Sequence, residues 1–251
     1  MDIVLNFAAW HAPILAAALL LAAARATELR IGWLFAAILA NAAYVALNFT
    51  GRDFIPLARW FGDLGWNWEG KIAAIGGTLA AVILLRLLFR RASFGTMGFR
   101  ARQAPGSIAP ALIATMIGVG SAIGLEILAA DGRSLDPERL LYQATMPGLD
   151  EEPYYRGLLL GLMMLALPGR NEKQGANILG ARIGWAGLLV TLLFGLMHGV
   201  AVAEGALVVS WAAIAITGYL GFILLWIRMR TGSVLLPILA HNMMNFANSF
   251  F

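Results

Sequence analysis

Apolar residues run along this chain in long blocks, and polar residues collect between them. A helix that crosses a hydrocarbon core needs about 20 mostly apolar residues. By that measure the pattern predicts spans at 5–24, 31–49, 70–89, 108–129, 149–168, 181–200, 204–227 and 233–250. The expected fold is an all-α, polytopic transmembrane helix bundle of about eight spans, with residues 1–251 forming a single integral membrane domain. The opening MDIVLNFAAWH carries no basic residue ahead of its apolar run, so the first block reads as a retained span rather than a cleaved signal peptide. Residues 54–68, with Phe54, Leu57, Trp60, Phe61, Trp66 and Trp68, read as a short amphipathic piece along the outer interface. Trp10, Trp33, Trp185 and Trp226 fall near span ends, where an amphipathic ring favours the headgroup level. Glycine pairs four apart (Gly120/Gly124, Gly157/Gly161, Gly180/Gly184, Gly195/Gly199) would admit a neighbouring helix at close range. Gln103-Ala104-Pro105-Gly106 and Ser134-Leu135-Asp136-Pro137 read as turns.

Composition narrows the class further. Of 251 residues, 60% are apolar and 13% charged, against about 25% charged in an average soluble domain. The mean hydropathy of +0.77 agrees. A soluble globule of this composition could not cover itself with polar surface. With no Cys, disulfides, thiolate metal sites and Cys nucleophiles are excluded. The net charge of +4 and pI near 9.8 do not call for nucleic acid, because a membrane protein gathers Lys and Arg on its cytoplasmic loops. Here Arg25, Arg30, Arg86, Arg90, Arg91, Arg100, Arg102, Arg170, Lys173, Arg182, Arg228 and Arg230 fall on the odd-numbered loops, with only Glu28 and Glu172 as acids. The other side holds Arg52, Arg59, Lys71, Arg133 and Arg139 together with Asp2, Asp53, Asp63, Glu69, Asp131, Asp136, Glu138, Asp150 and Glu204. The asymmetry places the odd loops in the cytoplasm and both termini outside.

Ionisable groups inside spans are costly, and each is by default a hypothesis about function. The first half offers Asn41 and Asn48 as interhelical hydrogen-bond partners, His11 as a lone structural histidine, and Glu126 near a span end. The second half is richer. Its first span opens Asp150-Glu151-Glu152-Pro153-Tyr154-Tyr155-Arg156-Gly157. One reading is local: the acids start a helix, where they complement its dipole, and Pro153 occupies the first turn. That reading leaves Arg156 unexplained. Glu152 and Arg156, four apart, share a face and can pair. Glu151 lies about 100° away round the helix, with no evident local partner. The next span ends Phe194-Gly195-Leu196-Met197-His198-Gly199, and the last contains His241-Asn242-Met243-Met244-Asn245, with His241 and Asn245 on one face. The charge-derived topology brings Glu151, His198 and the His241–Asn245 pair to similar depth, as a shared catalytic centre requires.

Glu151-Glu152 with Arg156 matches EExxxR, Phe194 to His198 matches FxxxH, and His241 to Asn245 matches HxxxN. In this order on successive spans they resemble the CPBP family (CAAX proteases and bacteriocin-processing enzymes, also called Abi), and in particular the type II CAAX prenyl endopeptidases. The resemblance covers residues 147–246, the expected catalytic core. Pro153-Tyr154-Tyr155 departs from the apolar residues and Phe usual before the Arg. The resemblance implies an intramembrane endopeptidase in which Glu151 and His198 hold and activate a water. His241 and Asn245 would stabilise the oxyanion, with Glu152 and Arg156 in support. It implies a peptide or lipidated protein as substrate, membrane lipids as surroundings, no nucleic acid, and a bacterial cytoplasmic membrane as location. Members of the family have been described both as metalloproteases and as metal-free glutamate proteases. Glu151, His198 and His241 would make a His₂Glu zinc set with water as fourth ligand, although no HExxH run fixes a metal. A non-enzymatic immunity or assembly partner protein of the same family is the second reading. A proton-coupled transporter is the third, disfavoured by the absence of an evident inverted repeat.

Overall fold

A computed structural model of the chain describes residues 2–62, 64–129, 136–169 and 175–250. The turn expected at Ser134-Leu135 lies outside them, as do the charges Asp63, Asp131, Arg133, Arg170, Glu172 and Lys173. The described residues are mostly helical, with two small hairpins. Its elements are α1 (Asp2–Ala23), α2 (Ile31–Phe54), α3 (Ala58–Phe61), α4 (Trp68–Leu88), α5 (Ile108–Ala129), α6 (Pro137–Glu151), a π-helical stretch (Glu152–Leu159) and α7 (Leu160–Ala166). There follow β1 (Ala176–Ile178), β2 (Ala181–Ile183), α8 (Trp185–Gly199), β3 (Val200–Ala203), β4 (Ala206–Val209), α9 (Trp211–Thr231) and α10 (Leu235–Asn248). Among the described residues five helices are long and apolar enough to cross a membrane: α1, α2, α4, α5 and α9. At 1.5 Å per residue their 21 or more residues span about 30 Å, the thickness of a hydrocarbon core. Leu20, Phe35, Leu87 and Leu128 stand on their outer faces, exposed from the protein as lipid-facing side chains are.

The expected eight spans are therefore five long helices, the later part of one long helical run (149–168), and two shorter helices, α8 for 181–200 and α10 for 233–250. The predicted span 149–168 belongs to one helical run from Pro137 to Ala166 that begins in polar sequence. The predicted spans 181–200 and 204–227 are shortened by antiparallel hairpins, β1 with β2 (Ala176↔Ile183) and β3 with β4 (Val200↔Val209). An unclosed hairpin leaves backbone groups that hydrocarbon cannot satisfy, which confines both to helix ends. Two of the tryptophans read as lying near span ends are hydrogen-bonded to these hairpins: Trp10 Nε1 donates to Val200 O at 2.7 Å and Trp226 Nε1 to Ile178 O at 2.8 Å. The segment 54–68 forms only the single turn α3, with Trp60 and Phe61 exposed, while Trp66 and Trp68 turn inward onto Tyr142.

Four packings dominate the bundle: α8 on α9, α6 on α10, α5 on α10, and α2 on α4. Gly195 and Gly199 set the first of these. A Cβ on Gly195 would stand 2.9 Å from Ile214 O, and one on Gly199 would stand 2.6 Å from Ser210 O. The Gly157/Gly161 pair receives Met97 and Phe99 rather than a helix. Gly120 and Gly124 face open space, and Gly180, with φ of +84°, turns the first hairpin. Gly199→Val should accordingly lower stability by about 1–3 kcal/mol, the cost of overpacking. Gly120→Ala should leave it within about 0.5 kcal/mol, as a surface change does. Reversible unfolding of the purified protein in mixed detergent measures both.

Candidate active site

The carboxylate cluster does not begin a helix. Asp136 caps α6, its side chain accepting from Glu138 N and Arg139 N, and Pro137 takes the first turn. By the time the chain reaches Asp150 it has made more than three helical turns. The local reading, in which these acids serve the dipole of a helix start, is thereby removed. Pro153, expected in a first turn, lies inside the run and has no N–H to return to the preceding turn. From Glu152 to Leu159 the helix widens to the π form, a feature that recurs at functional sites. Glu138 fixes the approach from outside, accepting from Gly65 N, Trp66 N and Trp68 Nε1 at 3.0–3.1 Å.

Three successive carboxylates then divide between two cations. Glu152, with no exposed surface, accepts from Arg156 Nη1 at 2.9 Å, the pairing that the four-residue spacing predicts. The same Oε1 meets His241 Nδ1 at 2.7 Å. Arg156 also donates to Gly221 O at 3.0 Å and lies over the Phe194 ring, 4.4 Å from its centroid. Glu151 has a partner that its own helix does not supply: Lys71 Nζ, from the first turn of α4, at 2.7 Å from Oε1. Lys71 reaches Asp150 Oδ2 at the same distance. Tyr44 of α2 donates to that Oδ2 at 2.6 Å and stacks on Tyr154.

The imidazoles are each held by one nitrogen. His198 Nδ1 is 2.7 Å from Phe194 O, one turn back, and its ring leans on Phe194 at 4.5 Å between centroids. Phe194 thus serves both ends of the FxxxH spacing, its carbonyl orienting the ring and its side chain supporting it. His241 is held by Glu152. Each ring keeps Nε2 unbonded among the described residues, and the Asn245 side-chain amide likewise has no hydrogen-bond partner there. Asn242, between His241 and Asn245, fastens α10 to α6 by accepting from Gly148 N at 2.7 Å.

Glu151, His198, His241 and Asn245 all line one cavity of about 300 Å³, together with Lys71 and Tyr142. Glu152 and Arg156 stand behind it, in contact with its lining rather than on its wall. Tyr142 precedes the predicted span 149–168. Burial pushes its phenol up to about 12, opposed by the charge of Lys71 and assisted by the smaller effects of the Glu151 and Asp150 charges. It therefore stays protonated at neutral pH, a hydroxyl donor on the cavity wall. His11 and Asn41 join a different cluster: Asn41 contacts His11 Nε2 at 3.0 Å and accepts from Tyr154. Asn48 bonds back to Tyr44 O in its own helix.

The zinc set expected of Glu151, His198 and His241 meets an obstacle. Among the described residues no three His, Asp or Glu side chains are grouped closely enough to hold an ion. An ammonium already sits on the Glu151 carboxylate. As arranged, the residues do not fit zinc. Sequence reasoning missed Lys71, Asp150, Tyr44 and Tyr142. Lys71 was legible in principle, since it is an ionisable residue inside the predicted span 70–89, yet its place near the span end assigned it to a loop.

Comparison with curated proteins and with solved structures gives no match to this chain. Residues 136–247 match the family model described as type II CAAX prenyl endopeptidase Rce1-like. The matched stretch runs from the cap of α6 nearly to the end of α10 and holds all three motifs, whereas α1, α2, α4 and α5 precede it. Residues 136–247 of this integral membrane protein are thus similar to a type II CAAX prenyl endopeptidase Rce1-like domain, consistent with a protease of the CPBP family.

Proposed function

We propose that the protein is an intramembrane endopeptidase that hydrolyses a peptide bond near the membrane interface with water activated by Glu151 and His198. The observation that carries this reading is the shared cavity. One carboxylate residue, two histidines and an asparagine line it, drawn from three separate helical segments. Amide hydrolysis needs a base for the attacking water and donors for the developing oxyanion. Glu151 takes the proton of a water aligned by His198, and the hydroxide adds to the carbonyl carbon. His241 and Asn245 donate to the oxygen that becomes negative. Glu152, fixed by Arg156, orients His241 through Nδ1 and supports its imidazolium, as a carboxylate does for the histidine of a catalytic triad. The proton held by Glu151 then passes to the leaving amine as the C–N bond breaks. No step is routed through a metal, in keeping with the ammonium on Glu151.

The substrate class follows at the family level: a protein or peptide tail held at the membrane, with a lipidated terminus as the favoured form. The positive-inside asymmetry puts the basic helix ends in the cytoplasm. The cavity, formed near the start of α4 and the end of α8, then opens on the opposite face.

A quenched fluorescent peptide bearing a farnesylated Cys followed by three residues is the direct test. The purified protein should cleave it, and Glu151→Gln or His198→Ala should lower kcat/KM by at least about 10²-fold, the usual contribution of a general base, without lowering the melting temperature. Absence of wild-type turnover, or full turnover in both variants, would refute the reading. Turnover should survive a strong zinc chelator in excess and gain nothing from added zinc; loss on chelation with recovery on zinc would restore the metal model. A periplasmic-type alkaline phosphatase reporter fused after Phe251 should be active, and a cytoplasmic-type reporter silent, if both termini are outside.

A further inference from the structure

Lys71 belongs to α4, outside the stretch that matches the family model, yet it lines the same cavity as the proposed catalytic groups. Its ammonium bridges two buried acids, Asp150 Oδ2 and Glu151 Oε1, each at 2.7 Å. Asp150 is completely buried, and the same Oδ2 also accepts from the Tyr44 hydroxyl at 2.6 Å. The lysine is therefore braced by one carboxylate while it grips the other. All three donors of an ammonium are rotatable, so a lysine touching Glu151 alone would fix little. With Asp150 and Tyr44 behind it, the position of Nζ is determined by α2, α4 and α6 together. Glu151 Oε1 is thereby committed, and among the described residues Oε2 makes no hydrogen bond. That leaves one oxygen, with its lone pairs, for the contents of the cavity.

We infer that Lys71 is a positioning residue of this site: braced by Asp150 and Tyr44, it holds one oxygen of Glu151 so that the other addresses the attacking water. The inference rests on the peptidase reading above. It assigns the first half of the chain a part in the chemistry through a single ammonium, beyond packing around the matched domain. A purely structural lysine would serve only to compensate buried charge, and its conservative replacement would then have no bearing on turnover.

The test uses the full-length protein and the same farnesylated peptide, with Glu151→Gln as the inactive reference. Lys71→Met should reduce kcat about 100-fold, as loss of an orienting group does in other hydrolytic sites, and leave KM within about threefold. Lys71→Arg, which restores a cation in reach of both acids, should recover at least a tenth of wild-type kcat. Tyr44→Phe removes one hydroxyl hydrogen bond from the brace and should cost kcat about tenfold or less, again at constant KM. If Lys71→Met does not yield folded protein, the arginine and phenylalanine variants decide. Wild-type kcat in folded Lys71→Met while Glu151→Gln is inactive would overturn the inference and leave the peptidase reading standing. So would a folded Lys71→Arg as inactive as Glu151→Gln, or a Tyr44→Phe that changes KM alone. A wild-type protein without turnover would end both.

Discussion

The cost of placing charge in a low-dielectric bundle governs the second half of this molecule. An ionised side chain taken out of water loses several kcal/mol of solvation even after the surroundings relax, whereas a single neutral hydrogen bond returns about 1 kcal/mol. Asp150, Glu151 and Glu152 enter the bundle in succession. No arrangement of neutral hydrogen bonds offsets three such burials, so cations must be brought to them. Arg156 comes from the same helix one turn on, and Lys71 comes from α4. The packing of α4 against α6 and the π-helical stretch, and of α2 against α4, is thereby tied to the chemistry of the cavity. A shift of either helix would separate Lys71 or Tyr44 from the acids and leave charge buried without compensation.

What the sequence reveals follows the same division. Hydrophobic blocks located every long helix, because the length requirement of a bilayer is written directly in composition. The motif residues converged as their spacing implied: Glu151, His198, His241 and Asn245 line one cavity, and Glu152 pairs with Arg156 four residues on. Spacing within a helix is local geometry, and local geometry is readable. The partner of Glu151 was not, because Lys71 lies 80 residues away and no periodicity relates α4 to α6. The hairpins after Gly175 and after Gly199 were also missed. Residues 204–209 read as the start of a span after a short loop at 201–203, and the turn at Glu204-Gly205, both with positive φ, marks the hairpin there. The position of Pro153 misled for a related reason. A proline beside acids imitates a helix start, and only the Asp136 cap fifteen residues before Glu151 shows that the helix is already under way.

The π-helical stretch resolves a conflict in the motif itself. Adjacent residues on a helix diverge, so Glu151 and Glu152 must face different neighbours, one the cavity and Lys71, the other His241 and Arg156. At the same time Arg156 must stay within reach of Glu152 while its guanidinium extends past Phe194 to Gly221 O on α9. A regular α-helix cannot continue unbroken through this region, since Pro153 has no N–H for the ladder. Widening the helix from Glu152 onward accepts that missing bond and turns the following side chains as a group. Tyr154 then stacks on Tyr44, and Tyr155 meets the edge of Phe194. Tyr154 and Tyr155 are thus the residues that link the widened turn to α2 and α8. Their rings fill the space around the cavity, while the carboxylates, the arginine and both imidazoles keep the contacts described above.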